Sequence, residues 1–120
     1  MSRLIPILAL CLAGCAPSVE LSRSGKAVEL LTQSDLGKGA MSCQQQAEFE
    51  VVTRAIEKPA SRGTVAQIKA RNATGKKGFS HVLVWPGSPF ACDREGTETE
   101  VGTYECERVP ASAYDCILGR

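Results

Sequence analysis

Six cysteines, one histidine and an uneven spread of charge are the residues with chemistry to offer in this 120-residue chain. Thiols pair with each other, hold soft metals or act as nucleophiles. Cys43, Cys92, Cys106 and Cys116 are separated by 49, 14 and 10 residues. Thiolates that bind zinc usually come as close pairs such as C-x-x-C, and this spacing has none. An even number of cysteines in a small domain therefore reads as two disulfides, which need an oxidising compartment. No metal and no cofactor is expected. His81 is the single histidine. No motif such as G-x-S-x-G marks a nucleophile for it, so it reads as structural and no catalytic residue is expected. Asp93, Glu95, Glu98, Glu100, Glu105 and Glu107 crowd the last third. They lack the calcium-loop pattern of an EF-hand and read as a solvated, self-repelling loop. Arg54, Lys58, Arg62, Lys69, Arg71, Lys76 and Lys77 crowd the middle, opposed only by Glu57. Within that run, Lys69, Arg71, Lys76 and Lys77 are the candidate contacts to an anionic surface. Trp85-Pro86-Gly87-Ser88-Pro89-Phe90 reads as aromatics packed on a core edge.

The other two cysteines, Cys11 and Cys15, belong to a different kind of segment. Arg3 precedes an apolar run, Leu4 to Leu12, followed by the small residues Ala13 and Gly14 and then Cys15. A basic residue, an apolar stretch and small residues are the parts of an export signal, in the right order. The run is too short for a membrane span, which needs about 20 apolar residues. Leu12-Ala13-Gly14-Cys15 resembles the lipobox of bacterial lipoproteins. That resemblance implies removal of residues 1–14, a diacylglyceryl group on the Cys15 thiol and an acyl chain such as palmitate on its amine. Two or more chains make a stable anchor. Ala16, which is not Asp, implies outer-membrane sorting by similarity to enterobacterial lipoproteins. Without Arg3 the remaining chain has 13 basic and 13 acidic side chains. Such neutrality gives no reason to expect a nucleic-acid partner.

The elements that must position these residues follow from periodicity and turn chemistry. Residues 16–24 read as a short polar spacer and 25–120 as one periplasmic domain. Ala27 to Leu31 is a predicted strand and 32–42 a loop. Gln44 to Arg54 alternates and is a second strand, ended by Pro59. Ser61 can cap a helix from about Arg62 to Thr74, with Val65, Ile68 and Asn72 or Ala73 on one stripe. Lys76 and Lys77 lie where they favour the helix dipole. Phe79 to Trp85 is the predicted central strand. Residues 88–102 read as a loop that carries Cys92. Thr103 to Val109 is the last strand, stopped by Pro110, and a tail carries Cys116. The expected fold class is α+β: β-β-α-β-β, with about four strands in a sheet and one helix on a face, stapled by disulfides. If the strands flanking the helix share the sheet, a right-handed crossover makes them parallel.

Several stretches resemble a domain-of-unknown-function family of small Gram-negative outer-membrane lipoproteins. They are Leu21 to Val28, Cys43-Gln44, Asn72-Ala73, Gly78 to Val82 and Gly102-Thr103-Tyr104-Glu105-Cys106. The layout, with Ser42-Cys43-Gln44, Asn72-Ala73-Thr74 and four later cysteines, is also similar to the lipoproteins that sense damage for the Rcs envelope-stress phosphorelay. This chain lacks the long proline-rich tether of those sensors. The family resemblance implies Cys43–Cys106 with Cys92–Cys116. The alternative, Cys92–Cys106 with Cys43–Cys116, is more like the stress sensors. The resemblance also implies a non-enzymatic envelope binding or stress-sensing module, lipid-anchored at the outer membrane and facing the periplasm. Its partners would be the bilayer through Cys15 and an envelope protein, lipopolysaccharide or peptidoglycan. A structural envelope accessory protein without a dedicated ligand is the alternative.

Overall fold

A computed structural model describes residues 17–37, 41–102 and 104–118. The lipobox, Leu12, Ala13, Gly14 and Cys15, lies outside the described residues. In chain order the elements are β1 (Ser18–Val19), α1 (Arg23–Lys26), β2 (Glu29–Leu31), α2 (Gln33–Gly37), β3 (Met41–Arg54), β4 (Lys58–Pro59), α3 (Val65–Lys77), β5 (His81–Val84), β6 (Ser88–Cys92) and β7 (Tyr104–Leu118). The fold is α+β: a mixed five-stranded sheet with one main helix and two disulfides.

β7 is the hub of the sheet. β3 pairs with it antiparallel along nearly its whole length, from Arg54 opposite Cys106 to Met41 opposite Leu118. Its other edge is shared by β5, against Ala111–Tyr114, and β6, against Tyr104–Arg108. β2 extends the sheet beyond β5 as a parallel neighbour. Since β3 and β5 both run antiparallel to β7, they are parallel to each other with β7 between them. The strand expected to be central, His81–Val84, is an inner strand of the sheet, flanked by β2 and β7.

The last strand does not stop at Pro110. Proline lacks an amide donor, which matters only where a ladder bond needs one. The Pro110 carbonyl accepts from the Trp85 amide at 2.9 Å, so its backbone faces the gap where β5 ends and β6 begins. No pairing is lost there. The predicted loop over 88–102 likewise contains a strand: Ser88–Cys92 pairs with β7 even though Pro89 lies within it.

One extra residue in β3 decides which side chains share a face. Gln45 opposes Tyr114 and Ala47 opposes Ala113, so Gln46 is a bulge. A single inserted residue flips everything before it to the other side of the sheet. Phe49 therefore packs with Val28, Ala70, Val82 and Ala111 beneath α3, whereas Cys43 joins Leu31, Leu83, Tyr114 and Cys116 on the opposite face. There Cys43 is directly opposite Cys116, 4.1 Å away between Cα atoms, and the two form a disulfide. Cys92 pairs with Cys106 across β6 and β7. This corrects the pairing implied by the family resemblance, Cys43–Cys106 with Cys92–Cys116. Cys106 stands at the Arg54 end of β3, 11 residues from Cys43 along that strand, on the order of 35 Å away.

The helix starts three residues later than expected. Thr64, not Ser61, is its N-cap, in a reciprocal capping box with Gln67 (3.1 and 3.0 Å). Ser61 Oγ instead accepts from the Leu21 amide at 3.1 Å. Gly78, at φ +87°, closes the helix in the left-handed conformation that glycine adopts without strain. Residues 17–24, within the segment expected to be a spacer, are folded as well. β1 pairs parallel with β4, and Ser22 caps α1 through the Gly25 amide. α1 then lies against α3 so closely that a Cβ on Gly75 would run into the Ser24 carbonyl oxygen. The Pro17 carbonyl, at the first described residue, accepts from the Lys58 amide at 2.8 Å.

Candidate functional site

The basic middle of the chain is not a free face. Lys69 Nζ donates to the Val52 carbonyl at 2.7 Å and to Glu57 Oε1 at 2.8 Å. Glu57 Oε1 also accepts from the Arg54 amide at 2.7 Å, and its side chain is only 5 % exposed. Burial pushes the Glu57 carboxyl up, but the Lys69 hydrogen bond, the Arg54 amide and both cations outweigh it and hold the pKa below the usual carboxylate value. Arg71 Nε donates to the Val28 carbonyl at 2.9 Å. Lys77 stands over the Phe49 ring, 5.1 Å from its centroid. Lys69 and Arg71 therefore join α3 to the strands beside it, and Lys76 and Lys77 remain together at the C-terminal end of the helix, where Lys76 is exposed.

His81 is held between two partners. Its Nδ1 is 2.7 Å from Ser80 Oγ and its Nε2 is 3.0 Å from Glu29 Oε2. A serine, a histidine and a carboxylate in series invite comparison with a hydrolase triad. The environment differs from one. Ser80 Oγ also accepts from the Cys116 amide at 3.1 Å, and Glu29, at the solvent end, is 77 % exposed. A triad needs a free nucleophile and a buried orienting acid. The cluster instead ties β2, β5 and the end of β7 together. Ser80 and Glu29 went unmarked in the sequence because they reach His81 through chain adjacency and a parallel register, neither of which forms a motif.

The acidic crowd divides by location. Asp93 Oδ1 accepts from the Glu95 and Thr97 amides, both at 2.9 Å, and so shapes a turn. Glu98 pairs with Arg108 at 3.1 Å. Glu105 and Glu107 line an open groove of about 690 Å³ with Pro89, Ala91, Thr53 and Ala55. Among the described residues no three His, Cys, Asp or Glu side chains converge on a metal-sized site.

Trp85 and Phe90 are half-buried on the face of the sheet away from α3. Trp85 Nε1 donates to Ser112 Oγ at 3.0 Å, and the Arg108 guanidinium lies 4.4 Å from the centre of the Phe90 ring. A second groove, about 500 Å³, runs over Glu48, Glu50, Trp85, Pro110 and Ser112 on this side. Indole, guanidinium and carboxylates along an open sheet face can contact a polar polymer or another protein. No helix among the described residues is long and apolar enough to cross a membrane. No family model, curated protein or solved structure matches the chain.

Proposed function

We propose that this chain is an outer-membrane lipoprotein, anchored through acylated Cys15, whose periplasmic domain works without catalysis as an envelope binding or stress-sensing module. The observation that carries the proposal is Arg3, the apolar run and Leu12-Ala13-Gly14-Cys15, the last of them two residues ahead of Pro17, which is hydrogen-bonded into the domain. Two disulfides in a domain of this size fit an oxidising compartment. The similarity to small Gram-negative lipoproteins of unknown function and to the Rcs stress sensors supports the same location and class. The domain has surfaces suited to holding a partner: the Trp85 and Arg108 face, and the Lys76–Lys77 end of α3 for an anionic group on lipopolysaccharide, peptidoglycan or an envelope protein.

Separating inner and outer membranes on a density gradient tests the anchor. The native chain is expected in the outer-membrane fraction and a Cys15→Ala variant is expected to be absent from it. Both proteins in one soluble fraction would overturn the proposal.

A further inference from the structure

The geometry points to one end of the domain as a face that rests on the phospholipid surface, with Ile56 and Val101 set into the headgroup layer. This inference rests on the lipoprotein reading and adds an orientation to it. Two residues span at most about 7 Å, so an acylated Cys15 holds Pro17 within that distance of its own lipid. The headgroup region is itself roughly 6 Å deep on each side of the hydrocarbon. The end of the domain beside Pro17 therefore has no room to stand clear of the bilayer.

That end carries the groups such a position needs. Pro17 is hydrogen-bonded to Lys58, and Ile56 lies two residues before Lys58 in the turn closed by the Glu57 amide donating to the Arg54 carbonyl. Ile56 is 36 % exposed. The β6–β7 loop reaches the same end, because Arg54 Nη1 donates to the Arg94 carbonyl at 2.7 Å. Val101 in that loop is 90 % exposed, the most open large apolar residue among the described residues. Lys58 and Arg94 are exposed beside them and can meet lipid phosphates, but Glu95 and Glu100 lie in the same loop. Attachment at this face is thus led by the acyl chains and the two apolar side chains, and not by net positive charge. Ile117 marks the far end of the sheet, 11 residues along β7 from Cys106 and on the order of 35 Å away. α3 runs antiparallel to β3, from Lys69 at Val52 to Lys77 at Phe49, so Lys76 and Lys77 point away from the membrane.

Tryptophan quenching by brominated phospholipids reads this orientation. Ile56→Trp, Val101→Trp and Ile117→Trp are each made with Trp85→Phe in the full chain. Each is purified as the lipidated form and reconstituted into phosphatidylethanolamine–phosphatidylglycerol vesicles. Emission at positions 56 and 101 is expected to be quenched several-fold more than at 117. Equal quenching at all three positions, or stronger quenching at 117, would overturn the orientation while flotation with the vesicles still upheld the anchor. Failure of the unsubstituted native protein to float would remove the anchor and the orientation together.

Discussion

Glu57→Gln is the substitution whose outcome the packing specifies most fully. The carboxylate is almost fully buried, accepts from Lys69 and from the Arg54 amide, and joins α3 to the end of β3. Glutamine keeps an acceptor for the Arg54 amide and removes the charge facing Lys69. Hydrogen bonds to charged groups contribute about 1.5–3 kcal/mol each. Lys69 is about a quarter exposed and keeps its bond to the Val52 carbonyl, so part of its hydration offsets the loss. The expected cost is about 2 kcal/mol at neutral pH. For a domain of this size that lowers Tm by on the order of 10 °C. The cost depends on pH with a definite sign. The Glu57 pKa is depressed in the folded state, so its stabilisation is complete above the ordinary carboxylate value and fades as pH falls through the folded one. Urea unfolding of both proteins across the acidic range is the assay. The two curves are expected to differ at neutral pH and to converge at acidic pH once the Glu57 carboxyl is protonated in the folded state. A gap unchanged at acidic pH, or no gap at neutral pH, would refute the role given to Glu57.

Three further outcomes are expected. Peptide mapping without reduction should recover Cys43 joined to Cys116 and Cys92 joined to Cys106, and a Cys43–Cys106 peptide would overturn the bulge-dependent register. Gly75→Ala should lower stability by about 1–3 kcal/mol, because its methyl would press on the Ser24 backbone, and unchanged urea unfolding would show that α1 does not sit there. Thr74 Oγ1 is buried without a hydrogen-bond partner among the described residues, so Thr74→Val should raise stability by about 1 kcal/mol, and a lower Tm would count against that environment.

Much of the fold could be read in the sequence because its signals were local. The α3 helix, the apolar strand at Val82–Val84 and the alternation around Phe49 each depend on neighbours within a few residues. The capping box Thr64-Val65-Ala66-Gln67 is a local signal too, and it marks the helix start three residues after Ser61. What escaped depends on partners far along the chain. Whether Pro110 ends a strand turns on what lies beside its backbone, and that is a gap between two strands. Whether Cys43 faces Cys116 turns on Gln46, an ordinary polar residue in an alternating run. The 16–24 segment is polar enough for a spacer, and the partners that fold its described part, Asn72 among them, lie far along the chain. Asn72 Oδ1 accepts from the Ser22 amide at 2.8 Å and its Nδ2 donates to the Glu20 carbonyl at 2.8 Å, across about fifty residues. The basic run looked like a surface because Lys69's partners, Glu57 and the Val52 carbonyl, lie 12 and 17 residues before it.

The mass of the N-terminal tryptic peptide, taken from native protein extracted from membranes in detergent, tests the anchor at its source. The expected peptide begins at Cys15, ends at Arg23 and carries a diacylglyceryl group with a further acyl chain on the amine. A peptide that runs from Leu4 to Arg23, as trypsin would leave it from an unprocessed chain, or one with an unmodified Cys15, would contradict the proposed anchor.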